Sequence, residues 1–346
     1  MTEFWTISYP LPGTPEKTAR DAEANGWDGV LFTDSQNHNG DCYAALAIAA
    51  NCTSKIGLGT GVTNPYTRHA AVTASAIASI QAESAGRAVL GIGRGDSALA
   101  RLGRRPASLP AFETYLTDVQ TYLNGEPVTN NGYEAPIRWL AEGTAPGAPH
   151  PKVPLDVAAT GPRVMEIAGR QADMLTFAVG ADMKRMNDGV ARARQAREAA
   201  DRDSASLQFG AYVNVAAHGN PKLARHASIG SVGIIAHFSG MGKTALEQLS
   251  ASDRAVIEAL TRDYQLDKHG DVRAEHIEHL SDEFVSRFAI VGTPTQCVDR
   301  LGELLDNVPL SRIVVMSNSR GVEPSVLEEG SSVVSEEVLP AVRGQT

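Results

Sequence analysis

Two short apolar runs, each ending in a glycine-rich and charged mouth, constrain this chain more than any other feature. The first is Ile56-Gly57-Leu58-Gly59-Thr60-Gly61-Val62-Thr63-Asn64-Pro65-Tyr66-Thr67-Arg68-His69. After an alanine-rich helical run comes the second, Ala88-Val89-Leu90-Gly91-Ile92-Gly93-Arg94-Gly95-Asp96-Ser97. A buried parallel strand reads as a continuous apolar run bounded by turn residues, and glycine at its end lets backbone or ligand come close. Two such units in succession predict a βαβ pair.

The same alternation extends along most of the chain. Strands are predicted at Phe4 to Ser8, Gly29 to Thr33, from Ile56, Ala88 to Ile92, Leu155 to Ala159, Met174 to Val179, Leu207 to Ala216 and Arg312 to Met316. Helices are predicted between them: from Pro15, with Thr14 as N-cap, to Gly26; an Ala-rich one to Asn51; Arg68 to Ala85; Leu109 to Leu123; one reaching Gln171; and Asp182 to Ala200. After Phe288 to Pro294 a capped helix follows to Leu305, and a last one lies near Pro324 to Leu339. Eight βα units in 346 residues predict a (β/α)8 TIM barrel, an α/β fold occupying 1–346 as one domain, rather than an open sheet. Two stretches break the rhythm. Residues 124–154 carry Gly, Pro and Asn in place of periodicity and read as a loop excursion, and 221–287 reads as a charged, mostly helical insertion before the last strand.

Composition narrows the functional classes. A net charge of −9 with no basic stripe excludes wholesale nucleic-acid binding, and no apolar run approaches a membrane span. The opening Met1-Thr2-Glu3-Phe4-Trp5-Thr6 lacks a basic segment followed by an apolar one, so the expected location is cytoplasmic. Cys42, Cys52 and Cys297 are too few and too scattered for a disulfide framework or a zinc site, and read as reduced core residues; no metal constellation is expected.

The two glycine-rich strings, together with Thr160-Gly161-Pro162 and Gly292-Thr293-Pro294, resemble the bacterial luciferase-like flavin and deazaflavin oxidoreductases. The resemblance spans most of the chain, and the branch it is most similar to is the methylenetetrahydromethanopterin-reductase-like one. It implies a TIM barrel with an excursion before strand eight. It also implies an oxidoreductase that moves a hydride between the deazaflavin coenzyme F-420 and a small organic substrate. The alternatives are a reduced-FMN-dependent luciferase-like monooxygenase and a non-catalytic flavin-binding protein. A homodimer is expected, with the Ala-rich helix 70–85 at its interface.

Site candidates follow from where a barrel binds its ligands, the C-terminal ends of the strands. Asp34, Gly61, Val62, Asn64, Gly93, Arg94, Asp96, Thr160, Gly161, Val179 and Gly180 would then share one mouth. Thr160 and Gly161 open a helix, which is either a plain cap or a place for the phosphate-bearing tail of the coenzyme. Arg94, Arg101, Arg104, Arg105 and Arg163 would offset the acidity of the chain near that tail. The resemblance puts a non-prolyl cis peptide at Gly61-Val62, with Val62 against the back of the flavin ring. It also puts an acid, Asp34, beside the reacting ring, where a carboxylate could orient substrate or relay a proton.

Two departures limit what carries over. Paired histidines after strand two are replaced by Ser35-Gln36, leaving His38 as a displaced catalytic candidate, and Ser8 stands where the methanopterin reductases have a glutamate. Gly240-Met241-Gly242-Lys243-Thr244 lacks the first glycine of a phosphate loop, and Gly91-Ile92-Gly93-Arg94-Gly95 has the wrong spacing for a dinucleotide fingerprint. His276 and His279 read as solvated members of a charged helix.

Overall fold

The structure, a computed structural model, describes residues 1–143 and 151–345. Eight strands close into a parallel barrel: Glu3–Ser8, Gly29–Phe32, Gly57–Thr60, Ala88–Ile92, Leu155–Ala159, Met174–Phe177, Gln208–Val213 and Arg312–Val315. Each pairs in parallel with the strand before and after it in the chain, and the last closes on the first through Phe4 beside Ile313 and Trp5 beside Val314. The strands are short apolar runs because both faces are covered, the inner by side chains of other strands and the outer by helices.

Outside the barrel wall lies a continuous apolar layer. Phe32, Leu58, Leu90, Val157, Phe177 and Ile313 pack there against helix residues such as Leu46, Ile77, Leu116 and Ile167. The alanine-rich helices Cys42–Cys52 and Ala70–Glu83 present small side chains to the strands and to each other, so they lie close to the sheet. Cys42 and Cys297 are buried, Cys52 is half-buried, and all three are free thiols.

Several boundaries differ from the sequence expectation. The seventh strand does not run from Leu207 to Ala216 without a break: Asn214 interrupts it, and its buried amide donates to Ser231 Oγ at 2.7 Å and the Met316 carbonyl at 3.1 Å. Beyond Asn214, Val215–Ala217 leaves the barrel and pairs instead with Ile290–Gly292, the run that opens the Thr293-capped helix Pro294–Asn307. Thr14 does not cap its helix with its side chain; its hydroxyl donates back to the Leu11 carbonyl. The last helix, Pro324–Val333, continues through a π-turn, Val334–Val338, into Leu339–Gln345.

The stretch 124–154 holds an antiparallel hairpin, Val128–Asn130 with Tyr133–Ala135, and a short helix, Arg138–Ala141; its residues 144–150 lie outside the described residues. The hairpin turns at Asn131 and Gly132, with φ of 51° and 80°, the two left-handed positions that an Asn-Gly turn supplies. In 221–287 the long helix Pro221–Ser239 leads, with Ala251–Arg262 and Asp282–Phe288 behind it. Ile229, Val232, Ile235 and Ala236 of the long helix pack with Trp5, Leu31, Val89 and Val314 in a second apolar cluster. The excursion therefore sits over the barrel opening and encloses it.

Candidate active site

The mouths of strands three and four are zipped together by hydrogen bonds. Thr60 Oγ1 donates to the Gly91 carbonyl at 2.6 Å, the Thr63 N–H to the same carbonyl at 3.0 Å, and the Gly93 N–H to the Thr63 carbonyl at 3.0 Å. A Cβ on Gly91 would collide with the Thr60 carbonyl oxygen, so this pairing requires glycine. The peptide between Gly61 and Val62 is cis. Asn64 then ties the turn down, its Oδ1 accepting from the N–H groups of Tyr66 at 3.0 Å and Thr67 at 3.2 Å. Its Nδ2 is buried with no protein partner among the described residues.

Above these mouths lies a cavity of about 240 Å³. It collects Asp34, His38, Gly61, Val62, Asn64, Gly93, Arg94, Asp96 and Thr160 on one surface. Three of the residues expected there are placed differently. Gly161 caps the helix Pro162–Gln171, one step behind the lining residues Thr160 and Val164. Strand six ends at Phe177, so Ala178 faces the cavity instead; Val179 is fully buried, and a Cβ on Gly180 would lie 2.6 Å from the Phe288 carbonyl oxygen. Gly180 therefore packs against Phe288, at the end of the helix Asp282–Phe288.

Asp34 is 2% exposed and both its oxygens are engaged. Oδ2 accepts from Arg68 Nη1 at 2.7 Å and Oδ1 from Gln36 Nε2 at 2.6 Å. Arg68 also donates to Asp41 Oδ2 at 2.6 Å and lies 4.5 Å from the centroid of the Tyr43 ring. Although burial opposes its charge, the Asp34 carboxylate more than offsets this and raises the Arg68 pKa. Asp34 is thus held inside a network by both of its oxygens.

The cations divide into two groups. Arg94 and Arg101 line the cavity, whereas Arg104, Arg105 and Arg163 are exposed and outside its lining. Arg101 is tied to the insertion, donating to the Leu266 carbonyl at 2.6 Å. Arg94 donates through Nε to the Ala107 carbonyl at 2.6 Å and has no carboxylate partner among the described residues. Burial, then the neighbouring Arg163 guanidinium, lower the Arg94 pKa.

Asp96 is the other ionisable group at the mouth. Burial pushes its carboxyl up to about 6. His237 Nε2, from the helix Pro221–Ser239, lies 3.9 Å from Asp96 Oδ2, and burial followed by the nearby His276 pushes the His237 imidazole down to about 4. The pair is too distant for a hydrogen bond and each partner is biased towards its neutral form.

The insertion supplies wall residues that the sequence reading did not find: Ile234, Ile235, Phe238, Met241 and His269. Their only sequence signal is the apolar run Ile229 to Phe238, too buried all round to show an amphipathic stripe. His276, expected in solvent, is fully buried and packs against Tyr264, ring centroids 4.4 Å apart; His279 stays half-exposed and pairs with Asp263 at 2.7 Å.

Comparison with known proteins places this geometry. The family described as luciferase-like monooxygenase matches residues 14–309. The 5,10-methylenetetrahydromethanopterin reductase of Methanolobus tindarius is 31% identical over 306 residues, covering 86% of this chain and 88% of that protein. Among solved structures, the coenzyme F-420 dependent tetrahydromethanopterin reductase from Methanopyrus kandleri superposes with a TM-score of 0.73 at 24% identity, over 98% of this chain and 99% of that one. An F-420-dependent secondary alcohol dehydrogenase, solved with an F-420–acetone adduct, gives a TM-score of 0.71 at 15% identity, over 99% of each chain. These two structural likenesses establish the shared barrel.

Proposed function

The chain belongs to the luciferase-like monooxygenase family, and from that premise we propose that it is an oxidoreductase moving a hydride between coenzyme F-420 and a small organic substrate. The observation that carries the reading is the cleft between strands three and four. It is walled by Gly61, Val62 and Gly93, floored by Asn64, whose Nδ2 has no protein partner among the described residues, and opens onto Arg94, which has no carboxylate partner among them. The relationship to a methylenetetrahydromethanopterin reductase over 86% of the chain supports the same cofactor class.

The residues present fit a deazaflavin. A Cβ on Gly93 would meet Val62 Cγ2 at 3.2 Å, so glycine there keeps the cleft open to a flat ring. Val62 offers the ring a stiff, β-branched surface. Asn64 Nδ2 is a donor in search of an acceptor, and ring carbonyls are acceptors. Arg94, with Arg163 near it, would hold the anionic tail together with the open N–H groups of the helix beginning at Pro162. When bound, F-420 supplies the hydride chemistry at its deazaflavin ring.

The chain's own groups then divide the remaining work. The Asp34–Arg68–Asp41 network fixes the loop after strand two, so that His38 stands at the substrate side of the cavity. Asp96, protonated over part of the physiological range, faces the same space as a group able to give or take a proton. Ile234, Ile235 and Phe238 exclude water from it. No helix among the described residues is long and apolar enough to cross a membrane, and a cytoplasmic enzyme with free thiols is part of this proposal. So is a homodimer, supported by Ile48 and Val72, which stand 46% and 54% exposed on two adjoining helices.

The test is the absorbance and fluorescence of the purified protein incubated with F-420 and, separately, with FMN, with and without oxygen. Tight binding of F-420 alone is the expected result. Tight binding of FMN accompanied by oxygen consumption would overturn the assignment in favour of a monooxygenase.

A further inference from the structure

A cluster of rings that the hydride chemistry does not use closes part of the cavity. His269 is 7% exposed and lines the cavity, and its Nδ1 lies 2.7 Å from the Tyr264 hydroxyl. Tyr264 is itself held by rings: His237 stacks on it at 3.9 Å and 10°, and His276 packs at 4.4 Å and 34°. On the cavity side His269 stands edge-on to His38 at 6.2 Å, and His38 edge-on to Tyr9 at 5.8 Å.

This arrangement fixes where the imidazole proton sits. A phenol O–H is a good donor and needs an acceptor; the Tyr264 hydroxyl has no other hydrogen-bond partner among the described residues. Nδ1 of His269 therefore accepts, and a neutral imidazole that accepts at Nδ1 carries its proton on Nε2. Nε2 has no protein partner among the described residues, and it is absent from the polar atoms sealed inside the protein, so it opens on the cavity. The groups facing His269 are His38, His237, His276, Arg101 and Arg320, whose Nη1 donates to the His269 carbonyl. None of them is an anion that would hold a proton on the ring. Burial, followed by His38 and His237, pushes its pKa down to about 3.

The surroundings define what this donor meets. Ile234, Ile235, Phe238, Met241 and Met316 give the cavity an apolar wall that it shares with His269.

We propose that His269, locked as its Nε2–H tautomer by the Tyr264 hydroxyl, anchors the carbonyl oxygen of a substrate with a largely apolar body. His269 donates this hydrogen bond and keeps its proton. The proposal rests on the oxidoreductase reading above for the term substrate, but the tautomer and the donor exist in the protein without cofactor.

The experiment uses the protein labelled with 15N-histidine, the His269 signals being assigned from their through-space contacts with the Tyr264 ring, and cyclohexanone as the carbonyl probe, with methylcyclohexane as the isostere lacking an acceptor. Expected are an Nε2–H tautomer for His269 from pH 5 to 8, a shift of that signal with cyclohexanone only, and about tenfold weaker cyclohexanone binding in His269→Leu, read from the His38 signals. Tyr264→Phe should mix the two tautomers while F-420 binding stays unchanged. An Nδ1–H tautomer, a charged ring at pH 7, or equal cyclohexanone binding in His269→Leu overturns the proposal; the first two are read on unaltered protein, so a variant that fails to fold leaves the test intact. Loss of F-420 binding with the tautomer and probe results as expected would instead overturn the cofactor assignment alone.

Discussion

Asp34 and Arg68 form an ion pair at the end of strand two, Nη1 to Oδ2 at 2.7 Å, with side chains 1% and 13% exposed. The same guanidinium reaches Asp41, which is 53% exposed, at 2.6 Å. Breaking a buried pair leaves the other charge uncompensated, which costs about 3–5 kcal/mol, while an exposed partner contributes about 0–1 kcal/mol. Arg68→Met should therefore destabilise by about 3–5 kcal/mol. Asp34→Asn should cost less because Arg68 keeps Asp41, and Asp41→Asn should cost less than about 1 kcal/mol. Urea unfolding of the three variants checks the ranking, and equal losses at Asp34 and Asp41 would refute it.

Gly91 in strand four and Gly93 just beyond its end have different duties. A Cβ on Gly91 collides with backbone, the Thr60 carbonyl oxygen, and backbone there is fixed by the zipper to strand three. A Cβ on Gly93 meets only Val62 Cγ2, at 3.2 Å. Gly91→Ala should lower the unfolding midpoint strongly, and Gly93→Ala should fold nearly as well but lose F-420 affinity by narrowing the cleft. Thermal unfolding alongside an F-420 fluorescence titration separates the two effects. Full affinity in Gly93→Ala would remove that residue from the ring site.

The exposed pair Ile48 and Val72 tests the assembly. Charges placed on both, as Ile48→Glu with Val72→Glu, would be tolerated on a free surface with stability within about 0.5 kcal/mol, but not in an interface. Light scattering should show a dimer for the unaltered protein at micromolar concentration and a monomer for the double variant. A monomer in both would exclude that face as a contact between copies.

Much of the barrel was legible because buried parallel strands advertise themselves. Ala88–Ile92 is a short run without a polar side chain that ends at Gly93, Leu155–Ala159 is apolar but for Asp156 and follows Pro154, and the structure begins and ends both where the sequence does. Leu109–Leu123 also has the bounds expected from the sequence, and the structure adds the Ser108 side chain as its cap. The eight strand ends also carried most of the mouth, since Gly61, Asn64, Gly93 and Asp96 lie immediately after the runs they terminate. What was lost needed tertiary information. Asn214 splits strand seven through bonds to Ser231 and Met316, 17 and 102 residues away, and no local pattern announces them. Tyr264, His269 and His276 converge only because the insertion folds over the opening, so His276 looked solvated when read on its own charged segment. The Asn131-Gly132 hairpin is different: its turn dipeptide was present and sufficient, and the flanking strands were too short to show alternation.

Acid stability follows from three buried groups with opposing signs. An unfolded histidine takes a proton near pH 6.5, but folded His237 resists to about 4 and His269 to about 3. Between those values the unfolded chain binds more protons, so these two groups make the fold lose stability as pH falls below about 6.5. Asp96 acts the other way: folded protein holds its proton up to about 6 while an unfolded aspartate releases it near 3.9. It therefore costs stability above about pH 6 and recovers that cost as pH falls towards 4. A shift of about two units would amount to about 3 kcal/mol in full, and the 26% exposure of the side chain reduces it. With two histidines against one carboxyl, the protein should weaken in acid. Asp96→Asn should be more stable than the unaltered protein at pH 7 to 8, by up to about 2 kcal/mol, and should lose stability more steeply below pH 6 because nothing then offsets the histidines. Urea unfolding between pH 4.5 and 8 measures both profiles, and parallel curves would show that Asp96 does not titrate with a raised pKa in the folded protein.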